Sequence, residues 1–426
     1  LPHLTVKAAW TGADMTHLPQ TAFTSLSQGQ EFPAPALDAC PLPCLQSAHL
    51  LPNGTAAGWL PLLVYADDEA PKLIFDGFTF LALQAEGPPQ AVFDPPTGAD
   101  VIGYATRKQI ASVMTFSQAG PVYALAFSPD GRLLASGGDD RQIHLWDVER
   151  GEEVVALPGL SIRARGLDFS PRGDLLAAIS AGNEVMIWET AGWQAVFSND
   201  GDGNGLALRF LPDDTMLTVT TSGFVRRWDM FSHAILRESR VPAIADPACR
   251  DAVVYAFDSD ASGDVFAASL SCGYGMLWRS GEQRAFYIEY NQQVDLPRVR
   301  YKPRVSSVAL SPDGTVATYG MVYYPELWLM TMEVIDTASG NVMAALSPMD
   351  PNLMAAAIAP GNDLMIAGVA DLLSLWWQEN GRWNLNDFIR LEGHAGLITD
   401  IAISRDGRRM ATADYSGKIL LWRVVP

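Results

Sequence analysis

The sequence is poor in the groups that usually carry chemistry. Its six histidines stand at 3, 17, 49, 144, 233 and 394, and no pair has metal-ligand spacing. Its four cysteines include no Cys-x-x-Cys-His, so covalent haem is excluded. No Gly-x-Ser-x-Gly elbow and no phosphate loop is present, and nothing in the spacing pairs two carboxylates for acid–base work. The longest apolar stretch, Trp59 to Ala66, has strand length and contains Pro61, far short of the roughly 18 apolar residues of a membrane span. Cations are outnumbered as well. With 29 Lys and Arg against 48 Asp and Glu, the formal net charge is −19, which argues against nucleic acid and against docking on anionic lipid. No cofactor is expected.

What is present suits a large β-protein. At 426 residues and 48% hydrophobic, the chain has ample material for a core. It begins Leu1-Pro2 and carries an even set of cysteines, which points to removal of a leader and an extracellular or periplasmic site; a cytoplasmic location is the alternative. Cys40 and Cys44, in Cys-Pro-Leu-Pro-Cys, are one candidate disulfide. Residues 1–103 hold nearly half of the 28 prolines. Of these, 1–44 read as an extended wrapping segment. Short strands follow at Gln46–Leu50, Leu60–Tyr65, Lys72–Phe75, Thr79–Gln84, Ala91–Phe93 and Val101–Tyr104, as wrapping or diverged repeat material.

The clearest unit is residues 121–151. Val122–Phe127 is a strand, Ser128-Pro129-Asp130-Gly131 a turn, Leu133–Ser136 a second strand, Gly137–Asp140 a second turn and Ile143–Trp146 a third strand. The first turn returns as Ser170-Pro171-Arg172-Gly173, Ser311-Pro312-Asp313-Gly314 and Ser404-Arg405-Asp406-Gly407, and more loosely elsewhere. Third strands end at Trp146, Trp188, Trp228, Trp278, Ile335, Trp377 and Trp422, at intervals of about 40 to 57 residues. Aligning on the turn selects Trp377 over Trp376 and puts Asp371 where the first unit has Asp140.

This pattern, down to Trp146-Asp147, resembles the WD40 repeat over about three-quarters of the chain. The resemblance implies an all-β fold, a seven-bladed propeller over 104–426 beside an irregular Pro-rich N-terminal region. Gln109–Phe116 is expected to complete the last blade and close the ring, since an open ring leaves exposed edges. An eight-bladed ring recruiting 72–116 is the rival. WD40 blades are often pinned by a hydrogen-bonded His, Ser or Thr, Asp and Trp. The first unit has Ser136, Asp140 and Trp146 with Gln118 at the histidine position. The last has His394, Thr412 and Trp422 with Ser416 in place of the aspartate, and the second has Ala178 and Gly182 instead. The resemblance also places the loops of Cys249 and Cys272 on one face, which implies a disulfide between them.

Two units are swollen. One insertion carries Tyr323, Tyr324, Trp328 and Met330, and the other Arg284, Tyr287, Arg298, Arg300 and Tyr301; both are candidate interfaces, by the aromatic, Met and Arg content that protein contacts favour. Asp258-x-Asp260-x-Ser262-Gly263 matches the first half of a calcium loop, but Ser269 stands where the bidentate glutamate belongs. The expected function is a non-catalytic protein-interaction scaffold, a subunit of a larger assembly with other proteins as partners. A hydrolase or lyase working in the central channel is one alternative and an intracellular adaptor another. Acidic, His or Arg side chains lining the channel would favour the enzyme, and small apolar ones the scaffold.

Overall fold

In the computed structural model, residues 95–425 are described except for 200–202, 231–232, 281–284, 289–303, 323–329, 347–352 and 385–387, and residues 1–94 are described only as eight strands. The chain divides into two compact units, one made of residues 1–92 with 213–215 and 229–235, the other of the remainder. In the first, His3–Ala9 pairs with Thr55–Pro61, and Thr16–Leu18 with Ala48–Leu50. Phe23–Ser27 is flanked by Gln30–Pro33 and Lys72–Phe75, and the latter pairs with Phe78–Ala82. The stretch 1–44 is therefore not merely an extended wrap. It holds four strands whose partners lie partly tens of residues away, so no local periodicity marks them.

The second unit contains seven antiparallel sheets in sequence order, each running from an inner to an outer strand. The first blade is Val122–Phe127, Leu133–Gly138, Ile143–Asp147 and Glu152–Leu157. Inner strands of successive blades lie side by side around the ring, the last next to the first. The seventh sheet takes its outer strand from Ile110–Ser117, which pairs with Lys418–Val424 in a register from Ile110↔Val424 to Ser117↔Lys418. There are seven blades, not eight. Val101–Tyr104, the expected strand of the rival ring, instead leads into a short turn of 3-10 helix at Tyr104–Thr106. That segment is held by Ile102, fully buried among Ile401, Met410 and Trp422, with its N–H donated to the Gly407 carbonyl at 2.8 Å.

The recurring turn has a physical cause. The Ser128 hydroxyl donates to Asp130 Oδ1 at 2.6 Å and accepts the Leu133 N–H at 2.9 Å, while Gly131 takes φ 68°. Ser170, Ser311 and Ser404 accept the equivalent N–H in their blades. In the fourth blade Asp260 does this work, accepting Asp264 and Val265 N–H at 2.8 and 3.0 Å. The half calcium loop is thus a turn whose carboxylate caps its own backbone.

Strand register corrects one assignment. In the first, second, fourth and seventh blades, the repeat tryptophan pairs with the second residue of the preceding strand: Leu134↔Trp146, Leu176↔Trp188, Phe266↔Trp278, Met410↔Trp422. In the sixth blade the same position pairs Met365↔Trp376, while Trp377 faces Leu364. Trp376 is therefore the repeat residue. It packs among Met332, Val334 and Leu346 of the preceding blade, whereas Trp377 packs towards the seventh. The hairpin Val369–Leu372 is tighter than its counterparts, so counting from the first turn overshoots by one residue. Asp371 sits exposed in that tight turn, not at a pinning position.

Candidate functional site

Every inner strand carries a register shift at the same place, after its first residue or, in the fifth blade, its second: Val122/Ala124, Ala164/Gly166, Gly205/Ala207, Val254/Ala256, Val305/Ser307, Leu353/Ala355 and Ile398/Asp400. A bulge leaves one residue outside the ladder and re-aims it. The seven residues so displaced are Tyr123, Arg165, Leu206, Tyr255, Ser306, Met354 and Thr399. They form a collar at one mouth of the channel, because all seven inner strands enter from the same end. The loops before each inner strand and between the second and third strands share that end. Ile162, Val253, Tyr255, Met354 and Tyr415, on this face, are between 36% and 43% exposed. The remaining large exposed apolar side chains, such as Val154 and Leu236, lie on outer strands, one or two to a strand, which is ordinary for a protein surface.

One sector of the collar is aromatic and cationic. The Tyr123 and Tyr415 rings meet edge to face at 5.7 Å, and the Arg163 guanidinium lies 5.5 Å from the Tyr123 centroid. Arg163 also reaches Asp139 at 4.0 Å, a half-exposed pair of little energetic weight. Burial, with Asp139 and Tyr415 adding, raises the Tyr123 pKa. Burial first, then the Arg163 charge, lowers that of Arg165. Elsewhere on the same face Cys249 and Cys272 are bonded, with Cα atoms 5.2 Å apart.

Deeper in the channel, three carboxylates sit on inner strands of different blades. Asp168 accepts Phe169 N–H at 2.9 Å with one oxygen and Phe210 N–H of the next blade at 2.8 Å with the other. Asp258 does the same with Ser259 and Leu310, at 2.8 and 2.9 Å, and also takes Arg209 Nη1 at 3.0 Å. Asp400 does so with Ile401 and, across the seam, Leu125, at 2.9 and 2.7 Å. Burial raises all three, Asp168 and Asp400 to about 6. The matching positions to Asp168 in four other blades are Ala126, Ala309, Ala357 and Ala402, so the lining mixes charge with small apolar residues. Neither of the two outcomes anticipated for the channel applies cleanly, because the charged groups are committed to joining blades.

The pinning networks are real at the seam. Trp146 Nε1 donates to Ser136 Oγ at 2.8 Å, Ser136 to Gln118 at 2.6 Å, and Gln118 reaches Asp140 at 3.4 Å. His144 joins them, 2.9 Å from Asp140 and 2.7 Å from Glu153, and those carboxylates raise its pKa. In the last blade Trp422 donates to Thr412 at 2.8 Å, Thr412 pairs with His394 at 2.6 Å, and His394 Nδ1 donates at 2.9 Å to Asp414. Ser416 does not stand in for the aspartate. Asp414, two residues earlier, supplies the carboxylate, and Ser416 donates to it. Trp228 finds Thr218 at 2.8 Å. Among the described residues no such chain reaches Trp188, Trp278 or Ile335, which are buried, and the position of Ser136 is taken there by Ala178, Ala268 and Tyr319.

Of the proposed interface residues, Tyr323, Tyr324, Trp328, Arg284, Arg298, Arg300 and Tyr301 lie outside the described residues, as do Cys40 and Cys44. Met330 and Tyr287 are placed only as strand backbone. The collar was missed because its members are one per blade and share no spacing in sequence except through the bulge.

A closed ring of seven antiparallel sheets, six of four strands and one of five, is a β-propeller, a class whose loops vary on a fixed frame. Residues 110–147 and 387–423, the first unit with the closing strand and the last, match the model of the WD domain, G-beta repeat. Two of the seven blades thus match WD40 repeats. It is 40% identical over 70 residues to small ribosomal subunit protein RACK1 of Caenorhabditis elegans, covering 16% of this chain and 21% of that protein. It is 22% identical over 293 residues to telomerase protein component 1 of Rattus norvegicus, covering 68% of this chain and 10% of that one. Protein tipD of Dictyostelium discoideum is 27% identical over 110 residues, 26% of this chain and 18% of that protein. The chain thus spans about a fifth or less of these relatives. Among the described residues no helix is long and apolar enough to cross a membrane.

Proposed function

We propose that the protein is a non-catalytic interaction scaffold, a subunit of a larger assembly, whose partner protein docks on the collar face. One observation carries this reading. Both oxygens of each channel carboxylate already accept main-chain N–H groups, while the collar face leaves Tyr255, Met354 and Tyr415 exposed. Aromatic and Met side chains exposed together on a rigid frame suit a protein contact. The test is size-exclusion chromatography with light scattering on material from the native source, for wild type and Tyr255→Asp/Met354→Asp. The expected result is an assembly heavier than one chain that the variant reduces to the single-chain mass. A wild type already at single-chain mass, or an assembly the variant leaves intact, overturns it.

An enzyme working in the channel has Arg209 between carboxylates in its favour, since such a set can hold a polar substrate. The hydrogen bonds that bind those carboxylates to neighbouring strands weigh against it. As to compartment, the Cys249–Cys272 bond supports an oxidising one, outside the cell or in the periplasm. A cytoplasmic adaptor would keep both thiols reduced. Mass analysis after alkylation without reductant separates these: an unmodified Cys249–Cys272 pair supports the first and two alkylated thiols the second.

A further inference from the structure

The guanidinium of Arg165 is out of place for a protein with 48 acidic residues. It projects from a bulge, half-buried, beside a second cation. Among the described residues, the ionisable groups that act on it are Arg163, Tyr123 and Tyr415, none of them a carboxylate. A partly desolvated charge without a counter-ion costs stability, so a fold that keeps one holds a site ready for an opposite charge. Arg163 is better placed but only loosely occupied, its one carboxylate among the described residues being Asp139 at 4.0 Å. Beside Arg163 stands the Tyr123–Tyr415 edge-to-face pair, and exposed Ile162 precedes Arg163 in the same loop. A planar donor fork bordered by aromatic and aliphatic surface matches a carboxylate on an otherwise apolar peptide.

We infer that the sector of Arg165, Arg163, Tyr123, Tyr415 and Ile162 is a binding pocket for a carboxylate-bearing peptide segment of the partner protein, with an apolar residue beside the acid. This rests on the scaffold reading and adds the partner's chemistry to it. Charge complementarity selects the occupant: the protein as a whole repels acidic partners, and this sector is where the local sign reverses. The acid would sit between the two guanidiniums, and its apolar neighbour on the tyrosine edges and Ile162.

The experiment pans a phage library of random heptapeptides against the full chain, then measures synthetic copies of the enriched peptides by calorimetry. The expected peptides carry Asp or Glu next to an apolar residue. Changing that acid to its amide weakens binding about 10- to 100-fold, as does Arg165→Ala, and Arg165→Glu abolishes it. Arg165→Lys retains part of the affinity, and added salt weakens what remains. Tyr415→Ala, at an exposed ring, checks the same pocket with little risk to folding, and circular dichroism confirms that each variant is folded. Copies with free and amidated C-termini tell a terminal carboxylate from a side-chain one. Enriched peptides without an acid, peptides that bind Arg165→Glu as well as wild type, or no enrichment at all each overturn the pocket. The scaffold reading stands or falls separately, on the assembly mass of the Tyr255→Asp/Met354→Asp variant.

Discussion

The second blade and the seventh solve the same packing problem with different chemistry. Their repeat tryptophans, Trp188 and Trp422, are both 2% exposed. Around Trp422 stand Thr412, His394 and Asp414, hydrogen-bonded in series; around Trp188 the same positions hold Ala178, Leu160 and no acid. Leu160 and Ala178 belong to an apolar cluster with Leu145, Leu157 and Leu176. Burying roughly 200 Å² of indole is worth up to about 5 kcal/mol, against about 1 kcal/mol net for one hydrogen bond. Packing therefore suffices to hold a blade. What the polar series adds is a penalty for being broken, since each member is buried and needs its partner.

That asymmetry sets the largest expected effect. Asp414 accepts from His394 at 2.9 Å, Ala395 N–H at 3.2 Å, Ser416 N–H and hydroxyl at 2.8 and 2.6 Å, and Lys418 N–H at 3.1 Å. Asp414→Ala strands all of them and should cost roughly 3–5 kcal/mol, read as a fall in the urea midpoint. No single truncation of a polar group in the second blade's Trp188 environment has a comparable set to strand. A loss under 1 kcal/mol at Asp414 would mean that the seam network is ornamental and that the two blades are alike in energy as well as in packing.

Both blades nevertheless carry a channel carboxylate, at ladder positions two residues apart: Asp168 in one and Asp400 in the other, each raised to about 6 by burial from an ordinary 3.8. An acid held above its unfolded value binds its proton more tightly in the folded ring. Its contribution to stability is then full below about 3.8 and lost as pH rises through about 6. Asp414 runs the opposite way, because its hydrogen bonds outweigh burial and lower its pKa, so its contribution is lost as pH falls. Asp168→Asn and Asp400→Asn should each flatten the pH dependence of the urea midpoint between about 4 and 6, by up to about 1.4 kcal/mol per pH unit. A slope that persists in both variants would show that these carboxylates titrate normally in the ring.

How much of this is legible in the sequence follows the range of the interaction involved. The Ser-Pro-Asp-Gly turns are closed by bonds spanning two to five residues, so they announce themselves, and the seven-blade count with them. The tryptophan of the sixth blade was misplaced because a hairpin shortened by one residue is visible only in the register Met365↔Trp376. Asp414 was overlooked because hydrogen bonding fixes an atom in space rather than a place in the alignment, and a carboxylate two residues earlier reaches the same histidine. The channel carboxylates and the Arg165 sector are assembled from strands of different blades, Leu125 N–H meeting Asp400 across 275 residues. No spacing rule within a repeat finds such a pair.

The smallest effect is the sharpest test of the contrast between the second and seventh blades. Ala178→Thr places a hydroxyl where Thr412 and Thr218 receive their indole N–H groups, so Trp188 gains an acceptor. The new hydroxyl proton then faces Leu160, in the position His394 fills, and finds no acceptor there. The single change should be neutral or cost about 1 kcal/mol, gain and penalty offsetting. Leu160→His alone buries an imidazole in an apolar cluster and should cost more. Together they rebuild the Trp–Thr–His series, and the double variant should be more stable than the sum of the two by about 1 kcal/mol, measured as the coupling term of a urea-denaturation cycle. A coupling near zero would mean that the series depends on its carboxylate, which Ser180 at the matching position cannot supply, and that the histidine of the last blade is held in place by Asp414 rather than by Thr412.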